Sequence, residues 1–439
     1  MKQMLILFFF ICTTTLLSQQ PQWRLISTSP DPNGRMDDIF FINENTGWTI
    51  GLTGSFPNTA WQCFKTTDGG FTWNTNLVDS TINPLRCIGF ADSINGWIGT
   101  LGLGGTNIFR TTDGGSTWLP SLITSPQDSI GICGISVINK DTVYATGRYS
   151  GPAKFYKTTN GGLNWTITDL TQYGIYLLID CHFFNADSGF ITGGTGITFE
   201  NSRGVVLFTS DAGITWKQRA VTQSTYTWGW KISFPNKHVG YVSLERPASP
   251  PRYFFKTTDG GETWEEKIFI NASISEQGIG FINENTGWIG GNINPGYQTT
   301  DGGNSWNSIG VFGTINRFRI INDTLAYACG DRVYKYSSDS TVNISIISNE
   351  LPQKFNLYQN YPNPFNPVTK IKFDLPVKSF VKLIIYNSLG QKIQEPVASD
   401  FNPGSYEYQF DALGVASGVY YYALQSENYL ITKRMVVLK

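Results

Sequence analysis

Thr66-Thr-Asp-Gly-Gly-Phe-Thr-Trp73 is the first of six copies of one eight-residue pattern in this 439-residue chain. The other copies, with small substitutions, begin at Thr111, Thr158, Thr209, Thr257 and Thr299. We call the six copies the boxes. The third residues of neighbouring boxes are 42 to 51 positions apart. A repeat of this length predicts a stacked or radial repeat fold.

A second motif precedes each box and occurs once more after the last one. Each copy is an apolar strand, a polar turn and a strand that opens with an aromatic residue. The copies are Phe41–Trp48, Phe90–Trp97, Val137–Tyr144, Phe184–Phe190, Phe234–Tyr241, Phe281–Trp288 and Ile321–Tyr327. With the strands on either side of the box turn, each unit supplies four short antiparallel strands. Seven units predict an all-β chain whose residues 20–338 form a seven-bladed β-propeller.

The seventh unit lacks a box and a fourth strand that opens with Trp. Residues 332–337 supply its third strand. Gln22–Ile26, near the other end of the chain, reads as a spare strand that carries Trp23. Since an open ring would leave unpaired sheet edges, we expect this segment to complete the last blade and close the ring.

The box residues are predicted to be structural, with ligand binding as the alternative. A short Asp or Asn side chain accepts hydrogen bonds from its own turn, and glycine adopts the positive φ that such a turn requires. These acceptors are Asp68, Asp113, Asn160, Asp211, Asp259 and Asp301. The closing Trp is a large apolar anchor between neighbouring elements. These anchors are Trp73, Trp118, Trp165, Trp216, Trp264 and Trp306.

Composition excludes several function classes. The formal net charge is −1 and no Lys/Arg block occurs, so nucleic acid is not an expected partner. With only His182 and His238 present, and no Cys-x-x-Cys spacing, we expect no metal and no cofactor. The five cysteines beyond the N-terminal segment are predicted to be small buried residues inside strands, with one disulfide as the alternative; they are Cys63, Cys87, Cys133, Cys181 and Cys329.

Residues 1–19 predict a signal peptide. Lys2 supplies the positive start, Met4–Ile11 form an apolar core, and a polar stretch leads to a cleavage site near Ser18. The apolar run is too short to span a bilayer. We therefore expect an exported protein.

A second, smaller domain follows a predicted linker at residues 339–354. Strand-like runs separated by turns such as Asn387–Gly390 fill residues 355–439. Short antiparallel strands over this length predict a β-sandwich.

Both domains resemble known families. The boxes resemble the Asp-box (BNR) repeat of sialidases, sortilin-like propellers, xyloglucanase-type glycoside hydrolases and photosystem II assembly factors of the Ycf48 type. This resemblance implies a propeller and says little about function. Residues 355–439 resemble the type A C-terminal sorting domain of the type IX secretion system, through Asn360–Pro367, Tyr386–Gly390, Leu413–Tyr420 and Lys433–Lys439. This second resemblance implies that the type IX secretion machinery recognises the chain and exports it through the periplasm. The protein would then be released or anchored at the outer-membrane surface.

The binding residues are expected at one end of the ring. In an up-and-down blade, the first-to-second turn and the box turn lie at one end, which we call the box end. The second-to-third loops and the blade connections lie at the other, which we call the loop-rich end, and these vary as binding loops do. Aromatic and Arg side chains there suit sugars, anionic polymers or a protein. The candidates are Arg148, Tyr149, Phe199, Arg203, Arg246, Arg252, Trp228, Trp230, Arg317 and Arg319.

Catalysis is the alternative. A glycoside hydrolase, sialidase-like or xyloglucanase-like, generally needs two carboxylates that flank the scissile bond. The candidates are Asp37, Asp38, Asp180, Glu200 and Glu245, and the sequence pairs no two of them. We therefore predict a non-catalytic binding propeller, secreted or at the cell surface, whose ligand is a glycan or a protein.

Overall fold

The computed structural model describes residues 20–31, 35–53, 60–79, 84–102, 105–124, 131–147, 152–246, 250–291, 296–338, 344–348, 351–412, 415–427 and 429–438. The predicted signal peptide, Arg148 and Tyr149 lie outside these ranges. Within them, one 3-10 turn, Thr171–Tyr173, is the helical element, and no helix is long and apolar enough to cross a membrane.

The propeller consists of seven four-stranded antiparallel sheets, each with its first strand innermost. Strand β1 is Gln22–Leu25. Blades 1 and 2 contain β2 (Met36–Phe41), β3 (Gly47–Thr53), β4 (Ala60–Thr66), β5 (Asn74–Asp79), β6 (Leu85–Phe90), β7 (Gly96–Thr100), β8 (Gly105–Thr111) and β9 (Leu119–Thr124). Blades 3 and 4 contain β10 (Ile132–Val137), β11 (Val143–Gly147), β12 (Lys154–Thr158), β13 (Thr166–Asp169), β14 (Ile175–Phe183), β15 (Gly189–Thr195), β16 (Gly204–Thr209) and β17 (Lys217–Val221).

Blades 5 to 7 follow the same plan. They contain β18 (Trp228–Ser233), β19 (Gly240–Glu245), β20 (Arg252–Thr257), β21 (Glu265–Ile270), β22 (Glu276–Phe281), β23 (Gly287–Gly291), β24 (Gly296–Thr299), β25 (Asn307–Ile309), β26 (Ile315–Asn322), β27 (Leu325–Gly330) and β28 (Val333–Ser337).

The predicted closure of the ring is confirmed. Strand β1 is the outermost strand of blade 7 and pairs antiparallel with β28, Trp23 opposite Tyr336. The Trp23 ring packs edge-on against Trp288 of blade 6, with centroids 5.2 Å apart. The N-terminal strand therefore covers the edge of β28 and joins the two ends of the propeller sequence.

The second motif is the inner hairpin of each blade. Phe41 pairs with Gly47 across the hairpin, and a Cβ on Gly47 would lie 2.5 Å from the Phe41 ring. The glycine of the motif thus makes room for the aromatic ring opposite. In blades 4 and 7 the equivalent residues are Phe183 and Ile320, one position earlier than the motif starts predicted from the sequence. Each of these copies has two apolar residues in tandem, Phe183-Phe184 and Ile320-Ile321, and the motif starts predicted from the sequence fall on the second residue of each pair.

The six boxes form one repeated turn. In the first, the hydroxyl of Thr66 and the backbone N–H and hydroxyl of Thr72 all donate to the Asp68 carboxylate, at 2.8, 2.8 and 2.6 Å. Gly69 and Gly70 adopt φ of 72° and 94°, which L side chains rarely tolerate. The Gly69 N–H donates to the carbonyl of Asn45 in the inner hairpin turn, so both turns lie at the box end. In the fourth box Ala212 stands at the first glycine position, with φ of 61°.

The box tryptophans pack between blades. Trp216 lies edge-on to Phe155 of blade 3 and Phe183 of its own blade, with centroids 5.0 and 6.4 Å apart. Trp306 contacts Phe254 and Phe281 in the same way. The geometry agrees with a structural role for the boxes, because their side chains are engaged within and between blades.

The five cysteines are buried free thiols, which confirms their predicted burial. Burial raises the pKa of each of them. They therefore stay protonated at neutral pH and have no enhanced nucleophilicity.

The C-terminal domain is a two-sheet antiparallel β-sandwich with strand orders β29-β34-β31-β30 and β33-β32-β35-β36. Its strands are β29 (Ile344–Ser348), β30 (Asn356–Leu357), β31 (Val368–Leu375), β32 (Ser379–Asn387), β33 (Lys392–Phe401), β34 (Gly404–Asp411), β35 (Gly418–Ser426) and β36 (Tyr429–Val437). Strand β29 falls inside the predicted linker and pairs antiparallel with β34, so it extends that sheet. Phe71 of the first box contacts Phe401 of the sandwich, with centroids 5.3 Å apart.

Candidate functional site

Every innermost strand carries a β-bulge at the same level. In β2, Asp37 and Asp38 together oppose Ile50, and in β18, Trp230 and Lys231 together oppose Ser243. The other bulges are at Arg86–Cys87, Cys133–Gly134, Ile179–Asp180, Gln277–Gly278 and Asn316–Arg317. A bulge re-aims side chains that strict alternation would send to opposite faces.

The bulges bring charged residues from five blades into the central channel. These residues, which we call the plug, are Asp37, Asp38, Arg86, Asp180, Lys231 and Arg317. The contacts that join them cross the ring. Arg317 of blade 7 reaches Asp180 of blade 4, and the Arg86 guanidinium of blade 2 lies 5.5 Å from the Trp230 ring centroid of blade 5. The plug has three carboxylates and three basic groups, so its charges can balance.

Arg317 is the centre of the plug. Its Nε donates to Asp38 at 2.9 Å, and its two terminal nitrogens donate to the Asp180 carboxylate at 2.8 and 2.9 Å. The backbone N–H groups of Ile88 and Ile232 donate to Asp38 and Asp180, each at 3.0 Å. Burial opposes ionisation of Asp180, but the Arg317 guanidinium and these donors lower its pKa below the ordinary value. Asp180 is therefore an ionised partner of Arg317.

Asp37 is held from two sides toward the loop-rich end. It forms ion pairs with Arg86 and, at 2.9 Å, with Arg35. Arg35 also donates to Gln277 at 2.7 Å. Asn316 donates to the Asp37 carbonyl and accepts from the Trp230 indole N–H at 3.3 Å. This level of the channel is filled by side chains.

Lys231 is the one plug residue that makes no hydrogen bond or ion pair with a carboxylate of the described residues. Its side chain is fully buried, and its Nζ has no hydrogen-bond partner among the described residues. Burial, with Arg317 nearby, lowers its pKa to about 8, while Asp180 and Asp38 oppose that shift. A fraction of Lys231 is therefore neutral at mildly alkaline pH.

Below the plug, toward the box end, the channel opens into a cavity of about 270 Å³. We call it the box-end cavity. Its walls include Phe40, Ser136, His182, Ser233, Phe234 and Arg319. The guanidinium carbon of Arg319 lies 3.8 Å from the Phe40 ring centroid. Burial lowers the pKa of His182 to about 4, so this ring is neutral at pH 7. The side chains at this level are partly exposed, which opens the cavity to solvent.

The structure scatters the predicted catalytic carboxylates. Asp37, Asp38 and Asp180 belong to the plug, whereas Glu200 is exposed on a loop of blade 4. Glu245 lies at the end of β19, where its carboxylate accepts from Ser275 at 2.7 Å. Burial raises the pKa of Glu245 and keeps part of it protonated closer to neutral pH.

Of the aromatic residues predicted at the binding face, Trp228 and Trp230 are buried, whereas Phe199 is half-exposed. Trp228 and Trp230 are only 7% and 2% exposed, because β18 runs along the channel. They stack on each other with centroids 6.3 Å apart, and Trp228 supports Phe199 at 3.8 Å. Phe199 in turn contacts Tyr226 at 4.7 Å. This ladder leads from the channel to a half-exposed aromatic pair at the loop-rich end.

The predicted arginines have different environments. Arg252 is buried and donates to the Ile274 carbonyl at 2.6 Å, so it is unavailable on a surface. Arg203 is exposed and Arg246 is partly buried. Arg317 and Arg319 were predicted at the loop-rich end, but they lie inside the channel because β26 is an innermost strand.

Several channel residues escaped the sequence reading, among them Arg35, Arg86, Lys231, Gln277 and Asn316. A signal was present. Counting back three and four residues from Phe41, Phe90 and their equivalents retrieves the bulge positions of all seven blades. The bulges themselves have no local sequence signature that reveals that both residues face the channel.

Comparison with known proteins supports both domains. Residues 359–438 match the family described as the secretion system C-terminal sorting domain. The chain thus carries a type IX sorting domain, and it is exported through the periplasm to the cell surface or the medium. A search of curated proteins gave no match.

Solved structures share the fold. YCF48 bound to D1 peptide matches 73% of this chain and 97% of its own length at 16% identity, with a TM-score of 0.53. YCF48 from Cyanidioschyzon merolae matches 72% and 98% at 15% identity, with a TM-score of 0.55. PorZ, a surface component of the type IX secretion system of Porphyromonas gingivalis, matches 93% of this chain at 12% identity and a TM-score of 0.50, but this chain covers only 60% of PorZ.

Proposed function

We propose that the exported propeller is a non-catalytic binding module whose partner binds the loop-rich end of blades 4 and 5. One observation carries the proposal: the Phe199–Tyr226 pair is half-exposed on a rigid aromatic ladder, while Asp37, Asp38 and Asp180 are held in buried ion pairs. Exposed aromatics with solid support are typical of binding hot spots. These three carboxylates already serve as salt-bridge partners of arginine side chains inside the channel.

The backbone of Tyr226 supports this assignment. Tyr226 adopts φ of 62°, a conformation that is uncommon for a bulky residue and that clusters at functional sites. Ile197, on the same blade 4 loop as Phe199, is 77% exposed, and Arg203 is exposed at the end of that loop. Apolar, aromatic and Arg side chains together suit a protein partner. The solved complex of YCF48 with a peptide is a precedent on this fold.

A glycoside hydrolase remains the second candidate because of Glu245. Its raised pKa suits a general acid, and Gln277 and Arg35 connect it to Asp37 at the loop-rich mouth of the channel. Hydrolysis would need a free second carboxylate beside it. Asp37 has two arginine partners, so we favour binding.

The mature chain can be tested against arrays of peptides and polysaccharides. We expect retention of peptides, and we expect Phe199→Ser with Tyr226→Ser to weaken it at least about tenfold, since hot-spot aromatics contribute about 2 kcal/mol or more. Leu119→Ser is the matched control, because Leu119 is 55% exposed on blade 2. Equal retention by the double variant would refute the assigned surface.

Catalysis needs a separate assay. The chain is incubated with the polysaccharides, and new reducing ends are measured against a heat-inactivated sample. We expect no release. Release that disappears in Glu245→Gln would overturn the non-catalytic proposal.

A further inference from the structure

We propose that the box-end cavity binds a small molecule through a carboxylate group, and that Arg319 holds that carboxylate. This site lies at the opposite end of the channel from Phe199 and Tyr226. It does not rest on the proposed function, because neither the wall of the cavity nor its opening involves the loop-rich end.

The first argument is the state of Arg319. Its guanidinium stacks on Phe40, yet it makes no hydrogen bond or ion pair with any described residue, and its Nε is buried. Buried polar groups in proteins normally have a partner. Arg317, two residues earlier in β26, directs its Nε and both terminal nitrogens at Asp38 and Asp180. An arginine with no such partner beside an open cavity is set up for an anion from outside.

The second argument is the local charge. Asp38 is the carboxylate of the cavity wall, and Arg317, Ile39 and Ile88 already donate to it. His182 is neutral at pH 7. Arg319, whose pKa burial lowers to about 10, stays charged at that pH. The Asp38 carboxylate opposes this shift, but its hydrogen bonds go to Arg317, Ile39 and Ile88. Arg319 therefore has no ion-pair partner of its own among the described residues, and an anionic ligand would supply one.

The third argument is the shape and chemistry of the walls. The guanidinium fork matches a carboxylate with two parallel hydrogen bonds. The Ser136 and Ser233 oxygens accept the backbone N–H groups of Phe183 and Phe281, each at 3.1 Å, so their hydroxyl hydrogens are free to donate to a ligand.

The volume sets the size of the ligand. At about 270 Å³ the cavity is smaller than the 300–1,000 Å³ that is usual for drug-sized ligands. It suits a molecule the size of a sugar acid or an acylated amino acid. Either would place its carboxylate on Arg319 and its body between the aromatic and serine side chains.

Two probe pairs test the proposal by calorimetric titration of the mature chain. D-glucuronate is compared with D-glucose, and N-acetylglycine with N-acetylglycinamide. We expect at least one of the two carboxylates to bind. Its neutral counterpart should bind at least about tenfold more weakly, because hydrogen bonds to charged groups are stronger than those between neutral groups. The pair that responds distinguishes a sugar acid from an amino-acid derivative. Equal binding of charged and neutral probes, or no binding of either carboxylate up to about 10 mM, would overturn the proposal.

Variants locate the binding. Arg319→Gln should lose about tenfold or more in affinity. Arg319→Lys keeps the positive charge but loses the forked guanidinium, so its carboxylate affinity should lie between that of the wild type and that of Arg319→Gln. Arg110→Gln removes a partly buried arginine of β8, outside both the cavity wall and the loop-rich end, and should bind like wild type. Circular dichroism and melting establish that each variant is folded. Unchanged carboxylate affinity in folded Arg319→Gln and Arg319→Lys would refute the role of Arg319, whereas loss of peptide retention in Phe199→Ser alone would leave this site untouched.

Discussion

The box turns and the channel use the same repeat in opposite ways. Each box places the same residue types in the same turn, and the Asp68 and Asp113 carboxylates accept matching bonds from Thr72 and Thr117. At the bulges the backbone repeats, but the side chains differ from blade to blade. The seven-fold backbone thus provides equivalent positions, and the side chains at the bulges differ so that specific ion pairs form between blades. We expect a single replacement in the channel to lower the free energy of unfolding more than a single replacement in a box.

The largest effect is expected at Arg317. Arg317→Met leaves the buried Asp38 and Asp180 carboxylates without their cation, which should lower the free energy of unfolding by about 3–5 kcal/mol. Urea denaturation measures it. Arg319→Met is the matched control from the same strand: it loses only the stack on Phe40, which contributes about 2 kcal/mol when it is desolvated. Similar losses at the two positions would contradict the assignment of the plug.

A second prediction uses the pH dependence of Lys231. Its folded pKa of about 8 lies below the value of about 10.4 in an unfolded chain. Between these values the unfolded chain binds more protons, so stability gains up to about 1.4 kcal/mol per pH unit as pH rises. This gain should vanish in Lys231→Met. The measurement is the difference in unfolding free energy between wild type and variant at pH 7, 8, 9 and 10, where other titrating groups cancel. If the difference in unfolding free energy does not change with pH, the folded state does not lower the pKa of Lys231.

Within the boxes, replacement of the acceptor should cost less. Asp113→Ala removes the acceptor of Thr111 and Thr117 and should cost about 1–2 kcal/mol. Asn160→Ala should cost less, because Asn160 is uncharged and accepts only from Thr158 and the Asn164 N–H. Thermal melting of the two variants tests the ranking. The reverse order would show that charge on the acceptor does not strengthen the turn.

The smallest effect is a gain. Ala212→Gly relieves a positive φ in the fourth box and should raise stability by about 1 kcal/mol. Ala220→Gly, in β17, is the control and should lower it by about 0.5–1 kcal/mol. A loss in both variants would show that the Ala212 backbone is unstrained.

Sequence reading was most accurate where the interactions are local. The blade count follows from turns whose partners lie within a few residues, as with Asp68 and Thr72. The closing strand was also found, since the seventh unit visibly lacked a strand. The one-residue shift at Phe183 and Ile320 came from tandem apolar residues at these positions, because the sequence alone does not show which of the two pairs across the hairpin.

The candidate site was less predictable. The sequence suggested five candidate carboxylates at the loop-rich end, but it could not indicate their partners. Asp180 looked like a possible acid–base group until Arg317 was seen beside it. Trp228 and Trp230 looked like surface aromatics because nothing in a short aromatic run indicates which side of a strand faces the channel.

Repeat, blade number and the C-terminal sandwich could thus be derived from the amino-acid sequence, because turn chemistry and strand alternation act over a few residues. Ring closure followed from the strand that the seventh unit lacks, and the sorting role from a resemblance to a known family. The plug, the open cavity below it and the contrast between Arg317 and Arg319 required the folded ring. Arg317 is 279 residues from Asp38 and 137 residues from Asp180 along the chain. Only closure of seven blades around one axis brings such residues within hydrogen-bonding distance. It leaves Arg319, two positions further along the strand, stacked on Phe40 and without a hydrogen-bond partner among the described residues.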